Sequence, residues 1–536
     1  MCPQTLSSIK PTTRVARGAT YMFIQGFASA AIGLIYFVIL ARILSQEEMG
    51  VYALLFFILS IPQLFGLFSL PSAATKYIPQ YLAEGNYDKA KSVVTRILQI
   101  SLLASAVFFL LLFLPAEWLS IQFFNKPTYV LHLRIVALSS VFNILYMVAA
   151  GFLQGLQKIR DYAALALIYT LTQHSVSIIL LSIGWGLYGV VCGWLAGLSI
   201  ASIAGLFLTI RELGIKEKPH ELKPLFKFSL PLYFSGIISY FINWADQLIL
   251  VSYMSLLYGA TEAQRILGVY YVAIRASAVP TLFSSAIITA LFPQLSALYA
   301  KQGSNSLKDA FHVSSRYAVL IGFPLIIGVA VLAYPIIVLF AGFDYAEAAL
   351  PLIIISIGSL VVALGIAIGP ILLTLERTLL ISLIAVISVI LSVVFSVFAL
   401  VILGLGMMGT AWARTFASII GLGLNLYVLN HYVKVSFDKE ALWKATASAV
   451  FMVFTIIIAD LLRGVLETLL SSSSYQFLVF RLHLLPVYVV IGAIAYFSFL
   501  ILLKAIKKHD IELLQEYLPK GFRRVASFLE LIARVK

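Results

Sequence analysis

Charge is scarce in this chain. Of its 536 residues, 11% are charged and 61% are hydrophobic. Soluble domains carry about 25% charged and roughly 45–50% apolar residues. So few charges exclude a water-facing surface over most of the length and leave lipid as the solvent. Cysteine is scarcer still. Cys2 and Cys192 are the only two, which excludes a disulfide framework or a cysteine metal cluster. Cys192, inside an apolar stretch, reads as a small packing residue. The seven histidines are scattered without ligand spacing, so no metal and no other cofactor is expected.

What the chain does have is long apolar runs. Fourteen stretches reach the roughly 20 residues needed to cross a bilayer core, from about 18–40 to about 484–503, with the eighth at about 269–292. The first is too long for a signal-peptide core and is read as a retained helix. Charge placement supports the count. With the N-terminus inside, inner segments hold 29 of the 37 Lys and Arg, outer segments hold five (Arg42, Lys126, Arg265, Arg463, Arg481), and three lie within spans. This is the positive-inside bias, with both termini cytoplasmic. The net charge of +14 is then mostly cytoplasmic and suits anionic lipid, with no call for nucleic acid. The tail 504–536 is basic and amphipathic, as expected of a helix lying on the inner membrane surface.

The sequence also repeats. Met49–Tyr52 ("MGVY") recurs as Leu267–Tyr270 ("LGVY"), and the connection from Pro79 recurs loosely from Pro293. "GWGLYG" at Gly184–Gly189 recurs as "GLGMMG" at Gly404–Gly409. Three markers in one order at nearly one offset indicate two six-helix copies. Six helices return the chain to its starting side, so the copies share one orientation about an axis along the membrane normal. The expected fold class is an all-α polytopic membrane protein of about fourteen transmembrane helices. Its expected divisions are 1–210 (first lobe), 211–227 (charged cytoplasmic linker), 228–430 (second lobe), 431–503 (two appended helices) and the tail. Both repeated glycine stretches match G-x-G-x-x-G, but neither has the strand before it or the acidic residue about 20 positions on that dinucleotide binding requires. Tight outer turns and close helix packing are expected instead.

Polar groups within the spans need a partner or a wet cavity. Arg134, Asp246, Arg275 and Arg414 stand out. Asp246 and Arg275 could pair or could line a cavity. Arg134 and Arg414 lie nearer the outer ends of their helices, where snorkelling competes with phosphate binding. Arg42 could cap carbonyls, pair with Glu47 or Glu48, or meet substrate. Thr170, Gln173, His174 and Ser177 form one polar stripe on the fifth span, suited to helix–helix hydrogen bonding, sugar contact or proton relay. Gln25 and Asn143 are isolated candidates of the same kind.

Leu40–Leu54, Gly151–Tyr162, Leu225–Leu250 and Leu267–Pro280 together resemble segments of the polysaccharide-exporting flippases of the multidrug/oligosaccharidyl-lipid/polysaccharide superfamily. The resemblance spans about the first 430 residues and rests on the order of the motifs. It implies a non-enzymatic plasma-membrane flippase that turns a polyprenyl-(di)phosphate-linked oligosaccharide from the cytoplasmic to the outer leaflet by alternating access. It also implies a monomer working beside glycan-assembly enzymes. Two other functions compete with this one. A multidrug or cation antiporter needs cavity carboxylates, which the excess of span arginines disfavours. A membrane glycosyltransferase or polymerase needs carboxylates on a sizeable loop, and the longest outer loop, Gly464–His483, offers only Glu467.

Overall fold

The computed structural model describes residues 11–216, 218–280, 304–375, 377–470 and 484–505. Helices dominate, and no strand occurs among the described residues. This follows from the solvent: in lipid every backbone N–H and C=O must be satisfied within its own segment. Thirteen described helices are long and apolar enough to cross a membrane, matching expected spans one to seven and nine to fourteen. The expected eighth span is described only as far as residue 280. The chain is therefore a multi-pass membrane protein.

In chain order the main helices are α1 Pro11–Ile43, α2 Gln46–Leu67, α3 Tyr87–Phe113, α4 Val130–Gly155, α5 Ile159–Ser182, α6 Gly186–Leu213 and α7 Leu222–Tyr258. They continue with α8 (260–280), α9 Ser304–Val331, α10 Ala349–Leu364, α11 Thr378–Val397, α12 Gly406–Val433, α13 Lys439–Leu470 and α14 Leu485–Leu502. Local chemistry sets several starts. Ser45 and Glu48 form a reciprocal capping box at α2. The Asn86 side chain accepts from Lys89 N at 3.0 Å to open α3. Apolar side chains such as Leu103, Phe207, Leu379 and Leu461 stand exposed, as lipid-facing positions should.

The duplication extends beyond the repeated words. A nine-residue helix follows α3 at Ala116–Phe124, and another follows α9 at Ala333–Ala341, starting 217 residues later. Each leads into a short 3-10 turn, Pro127–Tyr129 and Phe343–Ala348. The two glycine hairpins also match in detail. Gly184 and Gly186 have φ of +90° and +52°, and Gly404 and Gly406 have +63° and +53°, a region that side chains with a Cβ disfavour. The last glycine of each motif serves packing. A Cβ on Gly189 would meet Leu180 Cβ at 2.7 Å, and one on Gly409 would meet Ala399 Cβ at 2.9 Å. Turn and packing account for all six glycines.

By packing, the chain divides at Met1–Tyr271 and Val272–Lys536. This boundary comes later than the linker because α7 packs on the first repeat. Its Tyr240 and Trp244 rings lie 5.7 and 5.3 Å from Phe57 of α2, and Tyr233 lies 5.2 Å from Phe68. Within the first unit, an apolar core gathers Leu70, Ala74 and Ile78 of the short helix Leu70–Ala83 with Val94, Ile97, Val148 and Phe152. Gly155 of α4 lets that helix approach: a Cβ there would sit 2.7 Å from Ala74 O. Within the second unit, Phe323 of α9, Ala449 and Met452 of α13, and Tyr496 of α14 share a core. The appended helices are thereby built into that unit.

Candidate functional site

The repeated "GVY" words meet each other in the first unit. A Cβ on Gly50 would fall 1.9 Å from Gln264 O, and one on Gly268 would fall 1.9 Å from Gln46 O. Backbone therefore packs on backbone where α2 and α8 cross, and only glycine permits it. Arg265 bridges the crossing, donating to Gln46 Oε1 at 3.0 Å and pairing with Glu262 at 2.8 Å. Two residues past Gly268, Tyr270 donates its hydroxyl to Asp246 Oδ2 at 2.9 Å. Asp246 is 1% exposed, so this bond lies within packed protein. Beside it stand Trp244, stacked 6.3 Å from Tyr271, and Tyr52, 6.0 Å from Tyr271 and 5.4 Å from Trp194. The sequence singled out Asp246 but not Tyr270, although the repeated motif carried the tyrosine. Arg275 stands exposed one turn further along α8, beyond the unit boundary.

The α5 stripe joins α1. Gln25 donates to Ser29 Oγ at 3.1 Å, and Ser29 Oγ lies 3.3 Å from Thr170 Oγ1. His174 Nδ1 lies 2.5 Å from Thr170 O, and the Tyr36 ring meets the imidazole edge-on, 4.1 Å between centroids. Ser177 donates to Val190 O of α6 at 3.2 Å. Gly193 and Gly197 let α6 close on this face, since their Cβ atoms would meet Ser177 Oγ at 2.0 Å and Gln173 Cβ at 2.7 Å. Thus Gln25 belongs with Thr170, His174 and Tyr36, while Gln173 packs against α6. Tyr36 was not anticipated. Its only signal is a phenol within the apolar run of α1, one aromatic among several there.

The remaining candidates lie apart. Asn143 is buried and donates to Leu59 O at 3.2 Å and Gln63 Oε1 at 3.4 Å, tying α4 to α2. Arg134 is exposed on α4, its guanidinium 5.4 Å from the Phe113 ring centroid. Arg42 is exposed in the last turn of α1. Nearby, Glu47 pairs with Lys126, and Glu48 is engaged in the α2 cap. Arg414 is half-buried on α12, where Ser418 donates to its carbonyl at 3.0 Å.

Three further polar groupings escape a linear reading. The linker is docked on the first unit. Thr95 Oγ1 contacts both Lys216 O and Lys216 N at 3.0 Å, Arg96 Nε donates to His220 O at 2.7 Å, and Tyr77 donates to Pro224 O at 3.1 Å. His220 Nδ1 faces a carbonyl, Glu221 O at 2.8 Å, so it carries the proton and Nε2 accepts from Tyr81 OH at 2.9 Å. Partial burial raises the Tyr81 phenol above its ordinary pKa, so the hydroxyl keeps the proton it donates. In the second unit, Arg316 donates to Asp438 Oδ2 at 2.7 Å and to Ala505 O at 2.6 Å. Ala441 N donates to Asp438 Oδ1 at 2.9 Å. In α13, Asp460 accepts from Arg463 at 3.0 Å and from Tyr488 of α14 at 2.8 Å. Asp460 is thus a second carboxylate within the spans, and α13 continues to Leu470, well into the segment expected as an outer loop. The repeat of Pro79 at Pro293 and the tail beyond residue 505 lie outside the described residues.

Residues 39–350, more than half of the chain, match the family described as "Polysaccharide biosynthesis protein". A relative from Haloferax volcanii, "Probable low-salt glycan biosynthesis flippase Agl15", is 24% identical over 438 residues, covering 82% of this chain and 88% of its own. Among solved structures, the lipid II flippase MurJ in an inward closed conformation superposes with a TM-score of 0.69 at 18% identity, covering 90% of this chain and 99% of that one. A MOP superfamily transporter from Pyrococcus furiosus superposes with a TM-score of 0.59 at 14% identity, covering 78% and 95%. A MATE transporter in complex with MaL6 gives 0.58 at 13%, covering 78% and 96%. The fold is that of the MATE-like transporters.

Proposed function

We propose that this chain, which belongs to the polysaccharide biosynthesis protein family, is a flippase and not an enzyme. Its substrate is a polyprenyl-(di)phosphate-linked oligosaccharide, moved from the inner to the outer leaflet of the plasma membrane. The observation that carries this reading is the near full-length relation to the glycan biosynthesis flippase, spanning 82% of this chain. The duplicated hairpins and short helices support it, because parallel repeats are the framework on which rocking, alternating-access transport is built.

In this reading the anionic (di)phosphate is drawn by guanidinium groups. Arg275 and Arg414 are the first choices. Both are expected span residues, Arg414 nearer the end of its helix, and the planar guanidinium fork grips phosphate oxygens two at a time. Asp246 of α7, whose Oδ2 accepts from Tyr270, is a further candidate within the first unit. Arg42 meets the headgroup at the outer turn. The sugars cross through water while the polyprenyl tail stays in lipid. Both termini are cytoplasmic, the basic tail rests on anionic lipid, and the monomer works beside the enzymes that assemble the glycan.

Charge reversal tests the cationic site. Arg275→Glu and Arg414→Glu, singly and together, are assayed in vesicles for delivery of a fluorescent polyprenyl-diphosphate disaccharide to the opposite leaflet. Loss of delivery with retained insertion is expected. Normal delivery by the well-inserted double variant would sink the arginine site.

A further inference from the structure

We infer that the first glycine hairpin carries a sugar-binding subsite, formed by the Trp185, Tyr188 and His132 rings with the carboxylate of Glu48. The choice of a sugar as ligand rests on the flippase reading, which the subsite deepens by naming where the first unit holds the glycan.

The carboxylate has one oxygen to spare. The cap of α2 engages only Glu48 Oε2, which accepts from Ser45 N at 2.9 Å and from Ser45 Oγ at 3.0 Å. No donor among the described residues reaches Oε1. The nearby Lys126 pairs with Glu47 and does not neutralise Glu48. Glu48 is half-buried, and its Oε1 lies 3.7 Å from where a Cβ on Gly186 would stand. The hairpin therefore passes directly beside this oxygen.

The rings flank that glycine. Trp185 and Tyr188 lie 5.3 Å apart between centroids. Tyr188 meets His132 of α4 at 5.8 Å, and His132 meets Tyr129 at 5.3 Å. The row is packed at one end and open at the other: Tyr129 is 9% exposed and Trp185 is 47% exposed. An anchored row ending in an open indole offers a flat apolar surface beside an acceptor with lone pairs. A pyranose fits this pairing, because its C–H face is apolar and its hydroxyls donate from the edge. The same carboxylate repels a (di)phosphate, so the subsite takes the glycan end of the substrate and not its headgroup.

The duplication supplies an internal control. At the matching positions of the second copy, Leu405 stands for Trp185, Met408 for Tyr188 and Ile266 for Glu48. The second hairpin still has positive φ at its first two glycines and close packing at its last. Turn and packing therefore do not call for an indole, a phenol or a carboxylate here, and the first copy carries all three. The charge pattern expects this end of the first unit to face outward, the side to which the glycan is delivered.

The test uses the full chain in lipid nanodiscs and saturation-transfer NMR with the free disaccharide of the fluorescent polyprenyl-diphosphate probe. Glu48→Gln keeps a residue that completes the α2 cap, and Trp185→Leu installs the residue of the second hairpin, so both variants should fold. Affinity for the disaccharide should fall about tenfold in Glu48→Gln and about fivefold in Trp185→Leu. Affinity unchanged in both variants, or no transfer from the unmodified chain, overturns the subsite. Transfer to tetraphenylphosphonium with none to the disaccharide assigns the patch to a cation and overturns the sugar. In vesicles, both substitutions should raise KM for the disaccharide probe and leave sugar-free polyprenyl diphosphate unaffected. An equal loss with both lipids marks a structural role and overturns the subsite. If the unmodified chain moves neither lipid, the flippase reading fails, while the nanodisc measurement still decides whether the patch binds sugar.

Discussion

The rim of the protein, where the spans meet their connections, and its membrane interior treat polar groups in different ways. At the rim they are densely bonded. Asp438 accepts from Arg316 and from Ala441 N, and Arg316 also donates to Ala505 O. The linker is bonded to α3 through both backbone and side chains. In the interior of the first unit, Gln173 Oε1, Tyr36 OH, Trp194 Nε1 and Gln247 Oε1 are buried without a hydrogen-bond partner. A saturated network fixes structure, whereas an incomplete one has binding capacity to spare.

The largest expected effect is at the rim. Asp438→Ala strips a buried guanidinium of its carboxylate and should cost about 3–5 kcal/mol of stability, read as a lowered melting temperature in detergent. Adding Arg316→Leu should recover much of the loss, because the damage comes from the stranded charge. A double variant as unstable as Asp438→Ala would mean that the pair is not a closed unit. Next is Thr95→Val, which removes the hydroxyl that meets Lys216. A loss of about 1 kcal/mol is expected, with faster proteolysis at the linker. A linker no more exposed than before would show that its docking does not depend on this bond.

The interior should answer in the opposite sense. Gln173→Leu replaces a buried amide whose oxygen has no partner by an apolar side chain of similar size. Such exchanges are near neutral or stabilising, so the melting temperature should hold or rise. A fall of more than about 2 kcal/mol would show that Gln173 is as fully engaged as Asp438, and the contrast between rim and interior would break.

The two regions also differ in how far they could be read from the sequence. The spans were legible because lipid imposes a composition, and the repeat was legible because glycines mark turns that nothing else can make. Gly184 and Gly404 declared themselves by spacing alone. Within the spans, a lone Asp246 or His174 is conspicuous by cost. Its neighbour is not, since Tyr270 and Tyr36 are unremarkable in an aromatic-rich chain until the helices are packed. The rim was opaque because its bonds join distant segments: Arg316 lies 122 residues from Asp438 and 189 from Ala505. Ordinary loop charges give no hint of such partners. Asp460 was missed for another reason. It sits three residues from Arg463, so the pair looks like the polar end of a helix.

The smallest expected effect sharpens the comparison from outside it. Arg134 is a span residue by sequence, yet it is exposed and rests against Phe113 at 5.4 Å. A guanidinium in that position reaches the headgroups along its own stem. Arg134→Gln should change stability by no more than about 0.5 kcal/mol, as for other surface substitutions. It should leave the rate of sugar-lipid delivery close to that of the unmodified chain. Arg275→Glu and Arg414→Glu, measured in the same vesicles, are expected to abolish it. If Arg134→Gln also stops delivery at unchanged stability, its contact with the Phe113 ring does not mark it as a bystander among the span arginines. The substrate path would then have to include the outer face of α4.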